Sequence, residues 1–145
     1  MTDPARGAHR PDVPDEHLSR LRAICLELPE VLEEQAWAGI RWVIRKKNFA
    51  HVVAIDDGWP PAYARAAETD GPAIVLTFRS EGIELEALRE AEAPYFKPVW
   101  FENIAGLILD DDAGSVDWDE VTGLVTDSYC LLAPRVLSER VRDRG

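Results

Sequence analysis

The sequence has no apolar run near the roughly 18 residues that cross a bilayer. Its longest, Ile104–Leu109, is the size of a strand. Met1–Pro14 is polar and proline-rich with no apolar h-region, so neither a membrane span nor a cleaved secretory signal is expected, and a cytoplasmic location is. Cysteine is scarce: Cys25 and Cys130 fall far apart on segments that read as core-facing helices, where a thiol is inert. His9, His17 and His51 fall in the leading arm, at a helix start and in a strand, and no two stand at metal-ligand spacing. The sequence also lacks a phosphate-binding G-x-x-x-x-G-K-S/T loop, a G-x-G-x-x-G fingerprint, a G-x-S-x-G elbow and an H-E-x-x-H helix. No catalytic residue, metal site or cofactor is therefore expected. Basic residues are few as well: 16 Lys and Arg against 27 Asp and Glu leave a net charge of −11. Such a chain is soluble and repels phosphate backbones at long range, so contact with nucleic acid needs a local basic patch.

What is present suits one ordinary domain of 145 residues. Residues 1–14 read as a disordered arm and residues 15–145 as a single domain. Leu18, Leu21, Cys25 and Leu28 recur at helical steps and Pro29 stops the helix. Ala36–Ile44 and Phe49–Ile55 read as two strands around the polar tip Arg45-Lys46-Lys47-Asn48, with Asn48 a candidate for the left-handed turn residue. Ala73–Phe78 and Ile104–Leu109 are further strands, and Gly82–Ala91 is a short helix. Asp117-Trp118-Asp119-Glu120 has the form of a capping box opening a long final helix, which Pro134 ends or extends by a last turn. The order implies an α+β fold of two layers: an antiparallel sheet packed on one face by the N- and C-terminal helices.

Two groups of residues are candidates for function. Arg41, Arg45, Lys46 and Lys47 lie within seven residues at a hairpin end, where they would contact phosphates without reading sequence; the ordinary alternative is an edge hairpin protected by its lysines. A second basic spot lies in the tail at Arg135, Arg140, Arg142 and Arg144. Trp37, Trp42, Trp100 and Trp118 read as core, whereas Trp59 and Tyr63 sit in the 17-residue connection Asp56–Pro72. So long a connection is unusual unless it packs or serves a site. Trp59 and Tyr63 are expected to fold back over the sheet, capping it as a lid or lining a groove rimmed by Asp56 and Asp57. Acidic runs such as Asp110-Asp111-Asp112 lack the loop pattern of a calcium site.

Four segments together resemble the MmcQ/YjbR family. They are LRAICLELPEV (Leu21–Val31), RKKNFAHV (Arg45–Val52), Trp100 ahead of Ala105-Gly106-Leu107, and VDWDEVTGLVTDSYCLLAPRVL (Val116–Leu137) with its Ser128-Tyr129 and Ala133-Pro134. The resemblance implies a CyaY-like or secretion-chaperone-like α+β fold and a small non-enzymatic binding protein. It also brings the family's DNA-binding label, which here would rest on weak, non-specific contacts from the hairpin. Where many members carry a basic segment after the tryptophan, this chain has Phe101-Glu102-Asn103. The alternative function is an acidic protein–protein adaptor or chaperone-like module that binds a basic or amphipathic segment.

Overall fold

Helical spacing near the start of the chain produces α1, Asp15–Cys25. Its buried stripe is His17, Leu21 and Cys25, with Leu28 packing just beyond its end, while Leu18 is only half-buried. The computed structural model describes residues 12–98 and 102–144. Most of the expected arm lies outside those residues, as do His9, Trp100 and Phe101; Val13, near the end of that arm, is buried in the core.

Six strands follow: β1 Leu32–Gln35, β2 Ile40–Ile44, β3 Lys47–Ile55, β4 Ala73–Arg79, β5 Tyr95–Phe96 and β6 Ile104–Leu109. All pair antiparallel in the order β1-β2-β3-β4-β6-β5. Between them lie α2 (Pro61–Ala67) and α3 (Gly82–Glu90). A 3-10 turn at Ala113–Ser115 leads to α4 (Trp118–Leu132), and Pro134 then separates it from α5 (Arg135–Arg144). The expected α+β layering holds, with α1 and α4 on one sheet face.

Three local expectations are corrected. Ala36–Gly39 is a turn, not the start of a strand, and the strand before it, β1, is built from Leu-Glu-Glu-Gln. The β2–β3 hairpin is interior, because β1 lies outside it. Its two-residue turn holds positive φ at Arg45 (51°) and Lys46 (70°), whereas Asn48 pairs with Val43 inside the ladder. Both turn residues take the left-handed conformation that primed hairpin turns require, so the cations themselves carry the turn.

The main core joins Trp42, Ile44, Phe49, Ala50, Val52, Leu76 and Phe78 of the sheet to Leu21, Cys25, Val121, Val125 and Tyr129 of the helices. A register shift in the β2–β3 pairing brings both Phe49 and Ala50 into this face. Ser128, fully buried on α4, bridges the irregularity: its hydroxyl donates to the Phe49 carbonyl (2.6 Å) and accepts from the Arg79 N–H (2.8 Å). Next to it Tyr129 packs edge-on against Phe49 (5.5 Å between centroids) and donates to the Pro29 carbonyl (2.8 Å). Three of the segments that carry the family resemblance therefore meet in one structural knot.

Beyond the irregularity, the odd positions of β3 and those of β4 face the other way. Val53, Ile55 and Val75 form a second, smaller cluster with Ala64 and Ala67 of α2, Ala38 and Phe96. The connection 56–72 is thus folded over the second sheet face, with α2 beginning at Pro61 as helix-opening proline chemistry expects.

Candidate functional site

Strand register gathers the charged loops at one end of the sheet. Ile55 pairs with Ala73 and Ile74 with Leu109, so the loops after β3 and β6 and the loop before β4 all leave from this end. The 36–39 turn is here too. Gly39 has φ +73°, and a Cβ on it would lie 1.9 Å from the Val52 carbonyl oxygen, so only glycine lets the turn rest against β3. His17 of α1 contacts the Asp110 carbonyl at the same end (2.6 Å). This end carries Asp56, Asp57, Asp70, Asp110, Asp111, Asp112, Asp117 and Glu120. The four ion pairs among the described residues, Arg22–Glu33, Arg41–Glu34, Arg45–Glu30 and Arg135–Glu139, use none of these carboxylates. Arg65 on α2, and Arg20 stacked 5.8 Å over the Trp118 ring, are cations on this side.

Some of the carboxylates have structural work. Asp117 accepts from the Glu120 N–H (3.1 Å), the first half of the expected capping box, but Glu120 turns outward to accept from the Tyr95 hydroxyl (2.6 Å). Burial, reinforced by that bond, raises the Tyr95 pKa. Asp112 caps the 3-10 turn through the Gly114 N–H (3.0 Å). Among the described residues no group of three His, Cys, Asp or Glu side chains is arranged to hold a metal ion.

One of the aromatic residues is placed otherwise than expected. Trp42 is fully buried and Trp118 half-buried, but Trp37 is 65% exposed, a correction to its reading as core. Projecting from the 36–39 turn, it stacks on half-buried Trp59 at 5.1 Å with the rings tilted by 46°. The signal for this exposure was Gly39, which ends the strand-like run before Ile40. Trp59 is fixed by backbone bonds between it and Asp56 in both directions (3.0 Å each).

Tyr63 sits on His51, which is the hub of the second face. The His51 Nε2 lies 2.6 Å from the Ala38 carbonyl, which can only accept, so Nε2 carries the proton. Nδ1 then accepts from the Tyr63 hydroxyl at 3.1 Å. Burial lowers the His51 pKa, with a further push from the Arg41 charge, and burial raises that of Tyr63. This arrangement is a bracket tying the 36–39 turn and α2 to β3. With both nitrogens engaged, His51 has no lone pair left for a reacting group. The thiols are no more reactive: burial pushes Cys25, in the core, and Cys130, half-buried against it, up.

The four hairpin cations do not form one cluster. Arg41 stands on the second face, roughly 10 Å up the strand from the turn, and is paired with Glu34 (2.9 Å). Arg45 is paired with Glu30 (2.8 Å). Lys46 and Lys47 are exposed, with no ion pair among the described residues. The structure adds one cation near the hairpin turn, at the opposite end of the sheet: Arg140 of α5 acts on the same Glu30 carboxyl, which the Arg45 bond chiefly holds below the usual carboxylate range.

No helix among the described residues is long and apolar enough to cross a membrane. No curated protein and no solved structure matches the chain. A family model described as YjbR matches residues 26–131, a span that contains the Ser128–Phe49–Tyr129 knot, the hairpin cations Arg41, Arg45, Lys46 and Lys47, and the carboxylates of the acidic end. The chain belongs to the YjbR family.

Proposed function

We propose that this protein is a non-enzymatic binding module of the cytoplasm that takes a cationic segment of a partner protein on its acidic end. The observation that carries this reading is the Trp37–Trp59 pair, exposed Trp37 stacked on half-buried Trp59 beside the Asp56–Asp57 loop, at an end whose carboxylates make no ion pair among the described residues. A Lys or Arg over an indole face gains about 0.5–1 kcal/mol when exposed and about 2 when desolvated. The surrounding negative field steers cations toward it and repels phosphate. Neither a nucleophile–base pair nor a cofactor enters this reading. The test is tryptophan fluorescence during titration with oligolysine and oligoglutamate at about 50 mM salt, where surface electrostatics are strongest. Oligolysine is expected to shift the signal, and Trp37→Phe to lose most of that response. Absence of any response to oligolysine overturns the proposal.

A second reading, non-specific contact with duplex DNA, is favoured by one observation: Arg140 of the tail shares Glu30 with Arg45 at the hairpin turn that also carries Lys46 and Lys47. Such contact would be steeply salt-dependent. A gel-shift measurement at about 50 mM salt decides it, because non-specific affinity is greatest at low salt and absence of binding there removes the reading.

A further inference from the structure

We infer that the partner segment seats as a seventh strand on the free edge of β1, its cationic side chains two residues apart. The inference rests on the cationic-segment reading above and adds where the backbone of that segment lies.

Antiparallel pairs alternate between hydrogen-bonded and non-bonded. The Ala36 N–H donates to the Gly39 carbonyl (3.0 Å), which makes 36/39 a bonded pair. With Glu34 opposite Arg41 and Leu32 opposite Val43, alternation turns the backbone groups of Glu34 and Leu32 toward β2. Those of Glu33 and Gln35 therefore point off the sheet. Among the described residues no strand pairs on that side.

This edge carries few of the usual defences. It contains no lysine or proline, and its pairing with β2 is regular, without a bulge. The opposite edge, β5, is only two residues long. What β1 does carry is charge. Two copies pairing about a two-fold axis would set Glu33 opposite the second copy's Glu33 or, one register step along, Glu34 opposite its Glu34, and opposed like charges disfavour that pairing. The same glutamates favour a cationic strand. Glu33 is already engaged, taking three contacts of 2.9–3.1 Å from Arg22 and one of 3.0 Å from the Trp42 indole. Glu34, half-exposed and holding only Arg41, is the carboxylate open to a second cation. Leu32, 65% exposed, offers apolar contact at one end of the strand, and Trp37 begins the aromatic pair just past the other. The edge and the tryptophan pair are thus continuous, and an extended segment passes from one to the other.

The test uses the full chain and a peptide of about eight residues alternating Lys and Val, long enough to span the strand. Amide hydrogen exchange at Glu33 and Gln35 is read together with tryptophan fluorescence. Exchange at both amides is expected to slow about tenfold when the peptide is near ten times its Kd. Gln35→Pro removes one outward donor and leaves the inward ladder intact, so it is expected to weaken binding at least tenfold, whereas Gln35→Ala retains it. Should Gln35→Pro unfold, wild-type exchange alone decides the question. A fluorescence response with both amides unprotected overturns the edge placement while the cationic-segment reading stands. No fluorescence response overturns that reading as well. Protection of the same amides without peptide, accompanied by dimerisation, overturns the inference in favour of a second copy.

Discussion

Replacing Ser128 by alanine removes one hydroxyl and leaves two backbone groups without partners. The Phe49 carbonyl loses its 2.6 Å donor, and the Arg79 N–H loses its 2.8 Å acceptor. Ser128 is fully buried, so water cannot enter without opening the packing between α4 and the sheet. A buried group left unsatisfied costs about 1–3 kcal/mol. Taking the carbonyl in full and the N–H, which belongs to a half-exposed residue, at the low end gives a loss of about 2–4 kcal/mol. At about 3–4 °C per kcal/mol for a chain of this size, the melting temperature is expected to fall by roughly 6–16 °C. Ser138→Ala is the control: that hydroxyl is also buried but bonds only the Arg135 carbonyl of its own helix (3.1 Å), and its loss is expected to cost less than about 1 kcal/mol. Urea unfolding of both variants gives the comparison. A Ser128→Ala midpoint indistinguishable from wild type would show that the bulge does not depend on the bridge, and would refute the reasoning.

Three further outcomes are expected. Gly39→Ala forces a Cβ against the Val52 carbonyl at positive φ and is expected to cost more than about 2 kcal/mol, whereas Gly123→Ala, with open space in α4, is expected to stabilise by about 0.5–1 kcal/mol; thermal melts separate the two. His51 is held neutral, its pKa lowered from 6.5 chiefly by burial, so the unfolded chain binds a proton first as pH falls. Its contribution is intact above pH 6.5 and is lost on acidification toward the lowered value, so urea midpoints between pH 7.5 and 5.5 should fall less in His51→Gln than in wild type. Glu33 is held below 4.5 chiefly by the Arg22 bond, so its contribution is lost only below that pH, and Arg22→Ala should flatten stability there without changing the upper step.

The helices were legible because their apolar residues recur at three and four, and the interior strands because they are β-branched and bounded by glycine and proline. β1 was not: Leu-Glu-Glu-Gln has neither alternation nor β propensity, and it is a strand because Arg22, Trp42 and Arg41 hold its glutamates. The hairpin turn was misplaced by a residue preference, since asparagine tolerates positive φ more readily than arginine or lysine, yet the register puts Arg45 and Lys46 there. At the site, the length of the 56–72 connection pointed to Trp59 and Tyr63, which pack over the second sheet face as loop physics suggested. Trp37 was missed because a tryptophan in a β-rich run reads as core. The knot of Pro29, Phe49, Ser128 and Tyr129 was visible only as separate segments, because its bonds join residues 79 and 100 positions apart.

The claim that the acidic end is the working surface is tested most directly by amide and indole NMR spectra of the full chain, recorded during titration with oligolysine. The largest shift changes are expected at the Trp37 and Trp59 indole N–H groups and at the neighbouring Asp56 and Asp57 amides, and are expected to shrink as salt is raised. Shift changes confined to Arg45, Lys46 and Lys47, or no change anywhere at low salt, would contradict it.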